Sequence, residues 1–313
     1  MLKISSLLQI CALALSPLSA LAELPARFQM EKAITKTQDG QVRDLNRSDR
    51  QALERYDFVL VDGILGDLTQ SLYSDVEPYL AKQFPQSEIQ VLRPSSFLGL
   101  EQNADMLARQ LRSGSRPRIL IAHSRGAAEV FLALLKNPEL LAQENLAHVV
   151  LIQGAFSGSP VADWTAELLE KGCRDASRSE LWTKACDFAD LFSASLTGLR
   201  PNEARALRLP LQRSSSEATR AQFMKRVSFV RSQVSIGKAS LPLKPSALYL
   251  GHYFDAFAND GILLTMQQRV PGFGQDLGVL EADHLELLGA GRTKSMTSAV
   301  FVRSLMSEIS SNE

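Results

Sequence analysis

Three residue types in this 313-residue chain could together cleave an acyl bond: a serine at 124, a histidine at 284 and an aspartate at 260. A serine hydroxyl is a poor nucleophile until a base takes its proton. Histidine is the side chain suited to that work near neutral pH, and a carboxylate can fix its tautomer. Ser124 stands in ILIAHSRGAAEV, Ile119 to Val130, where an apolar run breaks into His123-Ser124-Arg125-Gly126 and then into small residues. This pattern predicts a strand, a sharp elbow and a helix, which lifts the hydroxyl over a helix N-terminus. In the G-x-S-x-G form of such an elbow, small residues on both sides let the strained turn close. Here Ala122 and Gly126 take those places. A serine at a strand-to-helix turn can equally be a cap, so the partners decide the reading.

The chain offers four histidines. His123 adjoins Ser124, so its side chain should leave on the opposite face. His148 opens a strand at its amino end, away from the elbow, and His252 follows a predicted strand at Ala247–Leu250 and is the runner-up. His284, in EADHLELL just past the last predicted strand, should hang over the carboxyl edge of a sheet and is the expected base. The acid should lie between nucleophile and histidine, after the penultimate strand. Asp255 and Asp260 both do, and Asp260 is favoured because Ala258-Asn259-Asp260-Gly261 is a tight turn that presents its carboxylate. Two backbone N–H groups should receive the developing oxyanion. Arg125, after the serine, supplies one, and Ile64, between Gly63 and Gly66, supplies the other.

These side chains need a scaffold. Apolar runs at Asp57–Val61, Glu88–Leu92, Ile119 onward and Ala147–Ile152 alternate with amphipathic segments at about Ser71–Lys82, Glu101–Arg112 and Ser124–Leu135. That alternation predicts a parallel sheet with helices on both faces. From Ser157 to about Leu241 no strand is evident. The sequence predicts a helical cap over residues 157–241, with the α/β core formed by 23–156 and 242–313. Leu277–Leu280 should be the last strand and Lys294–Ser307 the last helix. Within the cap, Phe188, Leu191, Phe192 and Leu199 form an apolar set that could receive an acyl chain, and Phe156 in the core is a further substrate-binding candidate.

The first residues, MLKISSLLQICALALSPLSALA, have the charged start, short apolar run and small-residue end of a secretory signal peptide cut after Ala22. The periplasm or the exterior is the expected location. Loss of Cys11 would leave Cys173 and Cys186, an even pair suited to one disulfide worth about 3 kcal/mol. Lys+Arg and Asp+Glu balance at 34 each, which excludes the basic profile of a nucleic-acid binder. Between Lys171 and Lys238, however, 13 Lys+Arg face 6 Asp+Glu. Phe223, Val227, Val230 and Val234 recur there at helical spacing, with Arg220, Lys225, Arg226 and Arg231 around them. Such a helix either packs on the core or touches an anionic lipid surface.

Together these motifs make the chain resemble the bacterial secreted triacylglycerol lipases of the α/β-hydrolase fold, over about Phe58 to Leu288. AHSRG resembles the nucleophile elbow, VDGILG the oxyanion loop, GAFSGSPVADW the segment after the next strand, and NDGILL and DHLELL the stretches bearing acid and base. Asp62 stands where the family has a histidine, and Ala155-Phe156 where it has Pro-His. The resemblance implies a serine lipase or esterase acting on lipid or ester substrates through an acyl-enzyme. The alternatives are a phospholipase or acyltransferase on membrane lipids, or a non-catalytic binding protein of the same fold. No organic cofactor and no metal are expected.

Overall fold

The structure is a computed structural model. It describes residues 45–288 apart from 65, 69–70, 143–144, 175–185, 187–192 and 255–257, together with 302, 303, 305, 306 and 309. The expected signal peptide, Asp255 and the acyl-chain candidates Phe188, Leu191 and Phe192 lie outside the described residues.

Six strands form one sheet in the order β2-β1-β3-β4-β5-β6. They are β1 (Asp57–Val61), β2 (Ile89–Leu92), β3 (Arg118–His123), β4 (Leu146–Ile152), β5 (Val227–Gln233) and β6 (Gln275–Glu281). All neighbours are parallel. Helix α1 (Arg47–Leu53) precedes β1, and the crossovers that parallel strands need are supplied by α2 (Val76–Gln83), α3 (Leu100–Leu111), α4 (Ser124–Lys136) and α5 (Glu139–Ala142). Between β4 and β5 come α6 (Pro160–Arg174), α7 (Ser193–Leu199), α8 (Pro201–Ser214) and α9 (Glu217–Arg226), and α10 (Lys244–Tyr253) follows β5.

The two-residue period of the strands divides the core. Val59, Val61, Leu120, Ala122, Val149 and Leu151 face α3 and α4. Phe58, Leu60, Ile119, Ile121, Val150 and Ile152 face the other way, onto α2 and onto Val302, Leu305, Met306 and Ile309. The spacing of those last four is the helical period expected near the C-terminus. Helix α4 is buried from Ser124 to Leu135, which fixes the elbow at its head to the centre of the molecule.

Two expectations are overturned. Val227–Gln233 is a strand, so the stretch expected to be helical to Leu241 holds β5, which lies in the sheet between β4 and β6. Phe223 lies in α9, which ends at Arg226, and Val227 and Val230 lie in β5, so the supposed basic helix does not exist as one element. Its arginines are occupied: Arg226 Nη1 donates to the Leu146 carbonyl at 2.8 Å, and Arg231 grips Asp276 through two bonds of 3.0 and 2.6 Å. Conversely, Ala247–Leu250 is helical, inside α10, where Pro245 in the first turn suits a helix start.

Candidate active site

The site is built where β3 ends. His123 closes the strand in extended conformation, and Ser124 turns at φ 55° directly into α4. A positive φ on a serine is strained and persists only where packing holds it. The packing comes from the loop after β1. A β-carbon placed on Gly63 would stand 3.1 Å from Ser124 Cβ, so this loop passes directly over the nucleophile position. Asp62 anchors the loop from below: its Oδ1 accepts from Leu72 N at 3.2 Å, and burial raises its pKa against the opposing effects of Ser71, Leu72 and Arg93. This aspartate, which departs from the family pattern, serves loop structure and is fully buried.

The three side chains singled out by the sequence stand in one line. His284 Nε2 lies 2.7 Å from Ser124 Oγ, and His284 Nδ1 lies 2.7 Å from Asp260 Oδ2. Asp260 is fully buried and accepts from Ile262 N at 3.0 Å and Leu263 N at 2.8 Å through Oδ1, and from Gln268 Nε2 at 3.0 Å through Oδ2. These donors occupy both oxygens and hold the carboxylate in one orientation. It accepts the hydrogen bond from His284 Nδ1–H, which leaves the Nε2 lone pair facing the serine hydroxyl. The loop carrying His284 is tied down by His284 N to the Asp260 carbonyl at 2.9 Å and by Ala282 N to the Gln233 carbonyl at 3.0 Å.

The side chain of Arg125 is part of the buried framework under the elbow. Its guanidinium is 2% exposed and lies behind the elbow, donating to Ser195 Oγ of α7 at 2.7 Å, to the Ser95 carbonyl at 3.3 Å and to the Leu98 carbonyl. Its Nε sits 2.9 Å from Glu129 Oε1. Glu129 also accepts from Asn103 Nδ2 at 2.7 Å, and burial pushes its carboxyl up to about 7 despite Arg125. The N–H of Arg125 lies in the first turn of α4, where no intrahelical carbonyl is available. Ile64 is half-buried beside the same elbow and packs on the core.

The comparisons with known proteins agree with this architecture. No family model matches the sequence, and no curated protein matches it. Among solved structures, a metagenomic carboxyl esterase superposes with TM-score 0.61 at 22% identity, over 83% of this chain and 76% of that one. The mature lipase BlEst2 of Bacillus licheniformis gives 0.54 at 16% identity, over 79% of this chain and 90% of its own. Lipase 1 of Pelosinus fermentans gives 0.55 at 14%, over 82% and 98%. The chain has the α/β-hydrolase fold.

Within this α/β-hydrolase fold other expectations separate. His148 lies in the amino half of β4 and packs edge-on against Tyr56, while His252 is exposed at the end of α10. Neither reaches Ser124. His123 stays closer than its place on the strand suggested, with its ring 5.0 Å from that of His284. Phe156 is 2% exposed and packs edge-on against Phe131 and Phe229. It borders a cavity of ≈ 20 Å³ with Ala128, Leu132 and Leu207. Cys173 and Cys186 are joined as a disulfide. Among the described residues no helix is long and apolar enough to cross a membrane. The sequence reading missed Gln268 and Gln153, both buried beneath the site.

Proposed function

We propose that the protein is an exported serine hydrolase of carboxylic esters. The observation that carries this reading is the unbroken line Ser124 Oγ, His284 Nε2, His284 Nδ1, Asp260 Oδ2, with 2.7 Å at each hydrogen bond and the serine on a strained elbow. His284 takes the Ser124 proton as Oγ attacks the ester carbonyl. The backbone N–H groups of Ile64 and Arg125 receive the oxyanion. His284 then returns the proton to the departing alcohol. Water, deprotonated by the same imidazole, attacks the acyl-enzyme, and His284 gives that proton to Ser124 Oγ as the acid departs. Positioned dipoles supply much of the rate in such reactions, which is why the fold invests in holding the Gly63-Ile64 turn.

The test is activity-based labelling with a fluorophosphonate, followed by peptide mapping and a substrate panel from short p-nitrophenyl esters to triglycerides and phospholipid vesicles. Ser124 should carry the label, and Ser124→Ala and His284→Ala should each abolish hydrolysis. Labelling of a different residue that persists in Ser124→Ala would overturn the assignment. Preference for vesicles over short esters would redirect the substrate class to phospholipid.

A further inference from the structure

Beneath the Ser124, His284, Asp260 line runs a second set of buried polar side chains that the ester chemistry does not itself require. Its origin is a parting of strands. β4 and β5 pair up to Ile152 and Val230. Gln153 N still bonds the Val230 carbonyl at 2.8 Å, but Gln153 then leaves the sheet at φ 48°. The main chain of Ser232 therefore has no strand beside it on that edge, and a buried peptide must find other partners.

The carboxamide of Gln268 takes the place of the strand. Its Oε1 accepts from Ser232 N at 2.7 Å, and its Nε2 donates to the Ser232 carbonyl at 3.1 Å and to Asp260 Oδ2 at 3.0 Å. Because the oxygen must meet Ser232 N–H, the nitrogen must face Asp260. The amide cannot flip without losing every bond. Gln153 is fixed in the same manner. Its Nε2 donates to Ser232 Oγ and to the Asp283 carbonyl at 3.0 Å, just before His284, so its Oε1 faces His123 Nε2 at 2.9 Å. His123 consequently donates from Nε2, and burial together with the neighbouring His284 holds its pKa down to about 3. It stays neutral and sets no charge against an imidazolium at His284. The bonds thus close a ring: Ser124, His284, Asp260, Gln268, Ser232, Gln153, His123, and by the peptide bond back to Ser124.

We propose that Gln268 and Gln153 are positioning residues for the reaction at Ser124. Gln268 holds the acid and tempers its charge, and Gln153 holds the peptide that carries the base. The proposal rests on Ser124 being the nucleophile. The titratable groups facing His284 are Asp260 and His123. On its own loop, Asp283 is spent on Ser240 N at 2.7 Å and Leu285 N at 2.9 Å, and Glu286 accepts from Asp283 N at 3.1 Å.

The experiment compares kcat, KM and the pH profile of kcat/KM for a p-nitrophenyl ester in Gln268→Met, Gln153→Met and Thr265→Val. Thr265 also donates to the Ser232 carbonyl, at 2.9 Å, but has no bond to Ser124, His284 or Asp260, so its loss reports the purely structural effect. Gln268→Met should lower kcat about tenfold with KM unchanged, the size expected for one hydrogen bond to a charged group. It should also move the acid limb of the profile, a readout that loss of a bond to Ser232 alone does not change. Gln153→Met should lower kcat by a similar factor, and is the second measure if Gln268→Met does not fold. Thr265→Val should keep the wild-type kcat and limb. Wild-type kcat and profile in both glutamine variants, or equal changes in Thr265→Val, would overturn the proposal. Hydrolysis surviving in Ser124→Ala would instead remove the nucleophile assignment beneath it.

Discussion

The carbonyl oxygen of Asp62 lies 2.2 Å from where a β-carbon on Gly126 would stand. The glycine of the elbow is thus required by backbone belonging to another strand end, and not only by the turn itself. Gly126→Ala cannot be relieved by rotating a side chain, because the obstacle is main chain. Either α4 or the Asp62-Gly63-Ile64 turn must move. Overpacking of this kind costs about 1–3 kcal/mol. Urea denaturation should report that loss. Hydrolysis should fall further than stability does, because the displaced turn is the one that carries Ile64. A variant with wild-type midpoint and activity would show that the contact is not tight.

Asp260→Asn should cost far more in rate than in stability. The carboxylate receives N–H groups from Ile262, Leu263, Gln268 and His284. An asparagine keeps the shape but brings an NH2 to a place where only acceptors are wanted. The imidazole is then driven to the other tautomer, with a proton where Ser124 must lose one. The expected fall in kcat is on the order of 10⁴-fold, with KM little changed. A reduction under tenfold would mean that Asp260 does not orient His284.

The pair of Arg125 and Glu129, 2.9 Å apart and closed off from solvent, calls for a double-mutant cycle. Arg125→Met alone strands a buried carboxylate and should cost about 3–5 kcal/mol. Adding Glu129→Leu removes the stranded group and should recover much of that loss. The cycle, read by denaturant midpoints, then gives the coupling. Additive losses would contradict it, since contacting charges couple.

Much of this architecture is legible in the amino-acid sequence. The strands around Phe58, Ile121 and Val150 are continuous apolar runs, and the turn residues around Ser124, Asp260 and His284 mark where such runs stop. β5 was hidden because Phe223, Val227, Val230 and Val234 fall at helical spacing across the junction of α9 and β5, at Arg226 and Val227. A period spanning a boundary imitates one long helix. The expected strand at Ala247–Leu250 failed for the opposite reason: ALYL is a short apolar run of either type, and Pro245 ahead of it was the helix signal. Gln153 and Gln268 carried no signal at all. A glutamine has no characteristic spacing, and its task here arises only where two strands part.

Acid should expose the buried histidines. Burial, with His284 nearby, pushes His123 down to about 3, and burial, with Arg226 and Arg55, pushes His148 down to about 4. In the unfolded chain both titrate near 6.5. Between those limits the unfolded chain binds protons that the folded chain refuses. Their contribution to stability is therefore complete above about pH 6.5 and is lost as pH falls towards 4 and then 3. Glu129 acts in the opposite sense. Its folded pKa of about 7 exceeds the unfolded 4.5, so its share of stability is full below 4.5 and declines as pH rises to 7. The net slope mixes the two, and a difference measurement separates them. His148 sits in the amino half of β4, away from Ser124, so His148→Gln should leave hydrolysis at neutral pH intact. Relative to wild type, the variant should gain about 1–3 kcal/mol between pH 7 and pH 4 in urea unfolding, at about 1.4 kcal/mol per pKa unit with allowance for partial exposure. Parallel pH curves for the two proteins would mean that His148 titrates alike in the folded and unfolded chain.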